Sequence, residues 1–124
     1  MTVKRPTDTE LAILRVLWTR GPSTVRQVAE MLDRAVGYTT VLKLLQIMTD
    51  KGLVIRDESS RTHVYQAASS EDETQRQLVN DLVERAFDGS AAKLVLHALA
   101  SKKASPQELD EIRRLLNKAR GGSR

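Results

Sequence analysis

The residues of this chain best spaced for chemistry are Thr39, Thr40, Lys43 and Gln46, in the stretch Gly37 to Gly52, GYTTVLKLLQIMTDKG. On a helix, at about 100° per residue, Thr39, Lys43, Gln46 and Asp50 gather on one side with Thr40 at its edge. Val41, Leu44, Leu45 and Met48 repeat at i, i+3, i+4 and i+7, which makes a continuous apolar stripe on the other side. Hydroxyls and an amine are groups that a nucleic-acid duplex can use. A threonine bonds a phosphate or offers its methyl to thymine, Lys43 reaches guanine acceptors or a phosphate, and Gln46 reads adenine if the helix enters deeply enough. Leu42 and Ile47 flank this face as packing or wing-supporting residues. A plain solvated helix has the same pattern, so the neighbouring elements have to decide.

Other chemistries find little support. The two histidines, His63 and His97, sit in different halves of the chain, and no glycine-rich phosphate loop appears. The acidic residues fall at helix starts, where capping and the helix dipole account for them. Zero cysteines removes disulfides, thiolate catalysis and cysteine-based metal sites together. The expectation is a protein that is not an enzyme and needs no cofactor or metal.

At 124 residues the chain is one domain or two very small ones. With 40% hydrophobic residues but only one Phe, one Trp and two Tyr, its interior must be built from Leu, Val, Ile and Ala, mostly on helices. No apolar run is long enough to span a bilayer and no signal-peptide pattern opens the chain, so the expected location is cytoplasmic, with no membrane partner. The net charge of +4 and pI of about 9.7 favour polyanionic partners. Residues 1–67 hold ten Lys and Arg against seven Asp and Glu, and residues 68–124 hold ten against nine, so the excess sits mainly in the first half.

The elements that must position the polar face follow from local signals. Thr7-Asp8-Thr9-Glu10 reads as a capping box opening a first helix. Leu11, Ile13, Leu14, Leu17 and Trp18 form its apolar face, and Gly21-Pro22 ends it. Ser23 can cap a second helix from Thr24 to about Leu32, with Val25, Val28, Ala29 and Leu32 facing inward. Asp33-Arg34-Ala35-Val36-Gly37 reads as the turn into the third. Two amphipathic helices joined by a short turn form a helix-turn-helix candidate, whose second helix enters the major groove by its N-terminal end. After Gly52, Leu53-Val54-Ile55-Arg56 and Thr62-His63-Val64-Tyr65-Gln66 read as strands around a polar turn, Asp57 to Arg61. Three helices followed by a β-hairpin is the order of a winged helix. The hairpin is expected to bring Arg56 and Arg61 near its tip, where a cation reaches phosphate or a narrow minor groove.

The run TVRQVAEMLDRAVGYTTVLKLLQIMTDKGLVIRDESSRTHVY resembles the DNA-binding domain of the penicillinase-repressor (BlaI/MecI-type) family of bacterial winged-helix transcriptional regulators. The likeness rests on Tyr38-Thr39-Thr40-Val41 opening the third helix, Lys51-Gly52 closing it, and Arg61 followed by Tyr65 in the wing. Thr9-Glu10-Leu11 through Leu17-Trp18 extends it across the first helix. The resemblance implies a homodimeric repressor on a palindromic double-stranded DNA operator, with Thr39, Thr40 and Lys43 at the groove and Arg61 beside the backbone. It also implies a sensor-linked protease as a partner, which in the family cuts a Leu-Val-Leu-Asn-Phe segment when a β-lactam is sensed. Here the matching stretch is Leu94-Val95-Leu96-His97-Ala98. The cleaved Asn-Phe bond is replaced by His97-Ala98, so the chain departs from the family's pattern at the segment on which protease recognition and the β-lactam signal rest, and the inducing signal stays open.

The remaining chain reads as three short helices. Ser70-Glu71-Asp72-Glu73 caps one that bears Leu78, Val79, Leu82, Val83, Ala86 and Phe87, and Asp88-Gly89-Ser90 breaks it. A second carries Leu94, Val95, Leu96 and Leu99. Ser105-Pro106-Gln107-Glu108 opens a third with Leu109, Ile112, Leu115, Leu116 and Ala119 on one side, and Gly121-Gly122-Ser123-Arg124 reads as a frayed end. Helices this short cannot offset their conformational entropy with a core of their own. A second copy of the chain is the simplest cover, through Leu78, Leu82, Leu94, Leu96, Leu109, Ile112, Leu115 and Leu116. The expected architecture is mainly α: a winged helix-turn-helix over 1–67 and a helical dimerisation region over 68–124. Two rival readings share this pattern, a winged helix that contacts a partner protein and a regulator that takes a small-molecule effector.

Overall fold

In the computed structural model, residues 5–32 and 36–122 are described. They form six helices and one hairpin, in the order α1 (Asp8–Arg20), α2 (Val25–Met31), α3 (Tyr38–Lys51), β1 (Val54–Asp57), β2 (Val64–Ala67), α4 (Glu71–Ala86), α5 (Ala91–Ser101) and α6 (Pro106–Gly122). The chain divides into two compact units, Met1–Val79 and Asn80–Arg124, so the boundary falls within α4.

In the first unit, α1 begins as its sequence demands. The Thr7 Oγ1 accepts from the Glu10 N–H at 3.2 Å while the Thr7 N–H donates to Glu10 Oε1 at 2.9 Å, the reciprocal pair of a capping box. The helix ends at Gly21, whose φ of 94° suits only glycine.

The cap of α2 differs from the expectation at Ser23. Thr24 is the N-cap, because Gln27 lies three residues on and closes the reciprocal pair, accepting from the Thr24 N–H at 2.9 Å and donating its own N–H to Thr24 Oγ1 at 3.2 Å. Ser23 is buried and its backbone is used elsewhere: its N–H donates to Tyr65 O at 2.9 Å and its carbonyl accepts from the Tyr65 N–H at 2.8 Å. This isolated bridge stitches the α1–α2 connection to the hairpin. The expected turn into α3 lies, at positions 33–35, outside the described residues.

The C-terminus of α3 closes in a Schellman motif, with Gly52 at φ 80° donating to Thr49 O and Leu53 N–H donating to Met48 O at 2.9 Å. That bond consumes the Leu53 amide, so β1 starts at Val54 and not at Leu53 as its composition suggests. The strands pair antiparallel in the register Val54↔Ala67, Ile55↔Gln66, Arg56↔Tyr65, Asp57↔Val64. Asp57 Oδ1 accepts from the Ser59 N–H at 2.9 Å, a side-chain turn that lengthens the connection through His63 and delays β2 to Val64.

One apolar core holds the unit together. Ile13, Leu14, Val16 and Leu17 of α1, Val25 and Val28 of α2, Val41, Leu45 and Met48 of α3, and Val54 and Tyr65 of the hairpin are buried in a single cluster. Trp18 packs on its margin and donates its Nε1 proton to Ser69 O at 2.9 Å. With so few aromatics, branched aliphatics at helical spacing supply the enclosed area, as the composition requires.

α4 opens in the expected box, Ser70 Oγ accepting from the Glu73 N–H at 3.1 Å and Glu73 Oε1 accepting from the Ser70 N–H at 3.1 Å. In the second unit the chain reverses at Asp88 and Gly89, both at positive φ, and Ser90 Oγ caps α5 by accepting from the Lys93 N–H. The rings of Phe87 and His97 meet at 5.7 Å between centroids. α6 starts at Pro106 with Ser105 and Glu108 closing a fourth reciprocal cap. It runs on to Gly122, so Gly121 and Gly122 are helical and not the frayed end expected of them; positions 123–124 lie outside the described residues. Among the described residues, no helix is long and apolar enough to cross a membrane.

Candidate nucleic-acid interface

The polar face read from the spacing of α3 is present as a surface. Val41, Leu45 and Met48 are fully enclosed (each 0% exposed), and Thr39, Thr40, Lys43 and Gln46 are all exposed on the other side. Leu44 and Leu42 pack partly against the core, while Ile47 is exposed to 38%. Gly37 caps the helix without a side-chain bond, leaving the approach to its first turn unobstructed by a capping group.

The two wing arginines part company. Arg56 lies within β1, opposite Tyr65, and its Nε donates to Glu58 Oε2 at 2.9 Å. Tyr65 and then Glu58 favour its charged form and raise its pKa above the ordinary value. Its charge is therefore engaged within the wing. Arg61 sits in the connection between the strands, exposed, and no ion pair among the described residues engages it.

Beside the α3 face lies a cleft of about 470 Å³ between α2, α3 and the wing. Arg26, Tyr38, Leu42, Arg61, Thr62 and His63 are among the residues lining it. The Arg26 guanidinium lies over the Tyr38 ring at 5.6 Å from its centroid, within cation–π range. The sequence marks Arg61 as a DNA contact; Tyr38 enters there only through the family likeness, His63 only as an isolated histidine, and Arg26 not at all. Tyr38 and Leu42, four apart, mark one flank of α3, which is the only local hint; the approach of Arg26 and of the wing is non-local.

The tail positions expected to make a dimer vary in exposure within the single chain. Leu78, Leu94 and Ile112 are half-buried, whereas Leu82, Leu96, Leu109, Leu115 and Leu116 are exposed, Leu96 and Leu115 to 68% and 67%. His97 and Ala98 are exposed on α5. Among the described residues no group of three or more His, Asp or Glu converges in the way a metal ion needs.

Three helices, a paired hairpin locked to them through Ser23 and Tyr65, and a third helix presenting an uncovered polar face define a winged helix-turn-helix protein. The penicillinase repressor family model matches residues 6–118, and the chain belongs to that family. It is 35% identical over 119 residues to the transcriptional regulator BlaI of Mycobacterium tuberculosis, covering 93% of this chain and 85% of that one. It is 19% identical over 111 residues to the methicillin resistance regulatory protein MecI of Staphylococcus aureus, covering 88% of this chain and 90% of that one. Both relatives are regulators by name. Among solved structures, the transcriptional regulator BldR from Sulfolobus solfataricus superposes loosely, with a TM-score of 0.39 at 16% identity over 88% of this chain and 74% of that one.

Proposed function

We propose that this protein is a sequence-specific, DNA-binding transcriptional repressor that acts as a homodimer on a palindromic operator, with residues 1–67 reading DNA and residues 68–124 pairing the protomers. One observation carries the reading: α3 encloses Val41, Leu45 and Met48 completely and leaves Thr39, Thr40, Lys43 and Gln46 uncovered. That division anchors the helix rigidly while offering hydrogen-bonding groups and a cation to the major groove. Arg61, which no carboxylate among the described residues pairs, adds a charge from the wing, and Arg56, held by Glu58, contributes through the wing's shape more than through its charge. The exposed leucines of α4, α5 and α6 support pairing, because apolar surface of this extent is covered in stable soluble proteins. A two-fold dimer sets its recognition helices about one duplex turn apart, or a multiple of it, and so calls for an inverted repeat. The double-stranded operator and a second copy are the partners this reading needs.

The test is to capture genomic fragments on the full-length protein and sequence them. A shared inverted repeat, bound by a species of twice the chain mass in sedimentation, is the expected result. Fragments with no common motif, together with binding that ignores salt, would refute it, since phosphate contacts release counterions and make affinity fall steeply with salt.

A further inference from the structure

Resting on the DNA-binding reading, in which the resemblance already puts Arg61 beside the backbone, we propose that Arg26, positioned by the Tyr38 ring, completes a phosphodiester clamp with Arg61 in the cleft between α2, α3 and the wing. The placement comes first. If the Thr39, Lys43 and Gln46 face of α3 enters the major groove, the strand beside that groove passes along a flank of the helix. Tyr38 and Leu42 form one flank and line the cleft. The guanidiniums come from different elements, Arg26 from α2 and Arg61 from the connection between β1 and β2.

The chemistry fits a phosphodiester. A guanidinium is planar, permanently charged and offers a fork of donors that matches phosphate oxygens. No carboxylate among the described residues pairs with either arginine, in contrast to Arg56, which Glu58 holds at 2.9 Å. The Thr62 hydroxyl adds a neutral donor, and Leu42 with the Tyr38 ring presents an apolar wall suited to a deoxyribose. The ring also restrains Arg26 at 5.6 Å before DNA arrives, which reduces the side-chain entropy lost on binding. Because a phosphodiester is the same at every step, this contact adds affinity and register without sequence preference.

The experiment measures binding of the full-length protein to random-sequence duplexes across a salt series, with thermal midpoints confirming that each variant is folded. Each phosphate contact contributes about 0.9 to the slope of log affinity against log salt, which is about eightfold in affinity at ~0.1 M salt. Arg26→Ala and Arg61→Ala are each expected to lower the slope by about that amount and to weaken every duplex alike. Arg76→Ala, which removes a cation paired with Asp72 on α4, is expected to leave it unchanged. Arg26→Lys should keep the slope, since the charge remains. Tyr38→Leu should lose about two- to fivefold, and Tyr38→Phe, which retains the ring, should restore it. A wild-type slope in Arg26→Ala overturns the clamp and leaves the repressor reading standing. A loss confined to one duplex sequence also overturns it, by making Arg26 a base reader. Arg26-dependent binding of inorganic phosphate alone, without a change in the duplex slope, overturns it in favour of a free-anion site. Absence of duplex binding in the wild type removes both readings together.

Discussion

Lys51 Nζ donates to Glu10 Oε1 at 2.7 Å, joining the last turn of α3 to the first turn of α1 across 41 positions of sequence. The same carboxylate caps α1 through Thr7, so one buried side chain ends one helix and tethers another. Burial alone would raise the Glu10 pKa; the Lys51 hydrogen bond, the Thr7 amide, the charge of Lys51 and the Thr7 hydroxyl outweigh it and leave the value below the ordinary 4.5. Glu10→Ala is expected to cost about 2–4 kcal/mol, a cap plus a charge-assisted bond, and Lys51→Met about 1–3 kcal/mol, by denaturant unfolding.

The same pair sets an acid dependence. A carboxylate whose pKa is lower folded than unfolded contributes stability in full above its unfolded value, and that contribution is lost as pH falls through the folded value. For Glu10 the loss begins as pH drops below the ordinary 4.5. Glu73 and Asp57 are also lowered and follow the same direction. The stability difference between wild type and Glu10→Gln should therefore shrink in this acid range. A difference that stays constant from neutral pH down to acid would show that Lys51 and Thr7 do not stabilise the ionised form.

Leu45 is enclosed on the inner face of α3. Leu45→Ala should destabilise the first unit by about 2–5 kcal/mol through lost transfer energy and a cavity. The loss of DNA affinity should track the fraction unfolded. If binding falls while thermal unfolding is unchanged, the helix is not anchored in the manner described.

Lys43 stands at the centre of the exposed α3 face. Lys43→Ala is expected to weaken operator binding by about 1–3 kcal/mol and to relax preference at one operator position in a selection from random duplexes. A uniform loss on every sequence would instead assign Lys43 to a phosphate.

Leu115 and Leu116 are exposed to 67% and 56% on α6. Leu115→Asp or Leu116→Asp places a charge where the proposed interface is apolar, and each should halve the sedimenting mass. An unaltered mass would take α6 out of that interface.

The local elements were legible because their causes are local. Thr7 with Glu10, Ser70 with Glu73 and Ser105 with Glu108 are capping pairs three residues apart, and Val41, Leu45 and Met48 announce the inner face of α3 by period alone. The order of three helices and a hairpin followed from those starts and stops. Where the reading slipped, a backbone group had been claimed from elsewhere. Ser23 bonds Tyr65 and leaves the cap to Thr24, and Leu53 bonds Met48 and yields the start of the strand to Val54.

What only the folded chain decides is which distant side chains share a space. A tyrosine opening α3 and an arginine on α2 carry no signal of each other, and nothing in either stretch announces that Arg26 and Arg61 line the same cleft. Periodicity records which face of an element prefers to leave water. The meeting of faces depends on how the core of α1, α2, α3 and the hairpin closes, and that closure is a many-body packing outcome which no single stretch of residues contains.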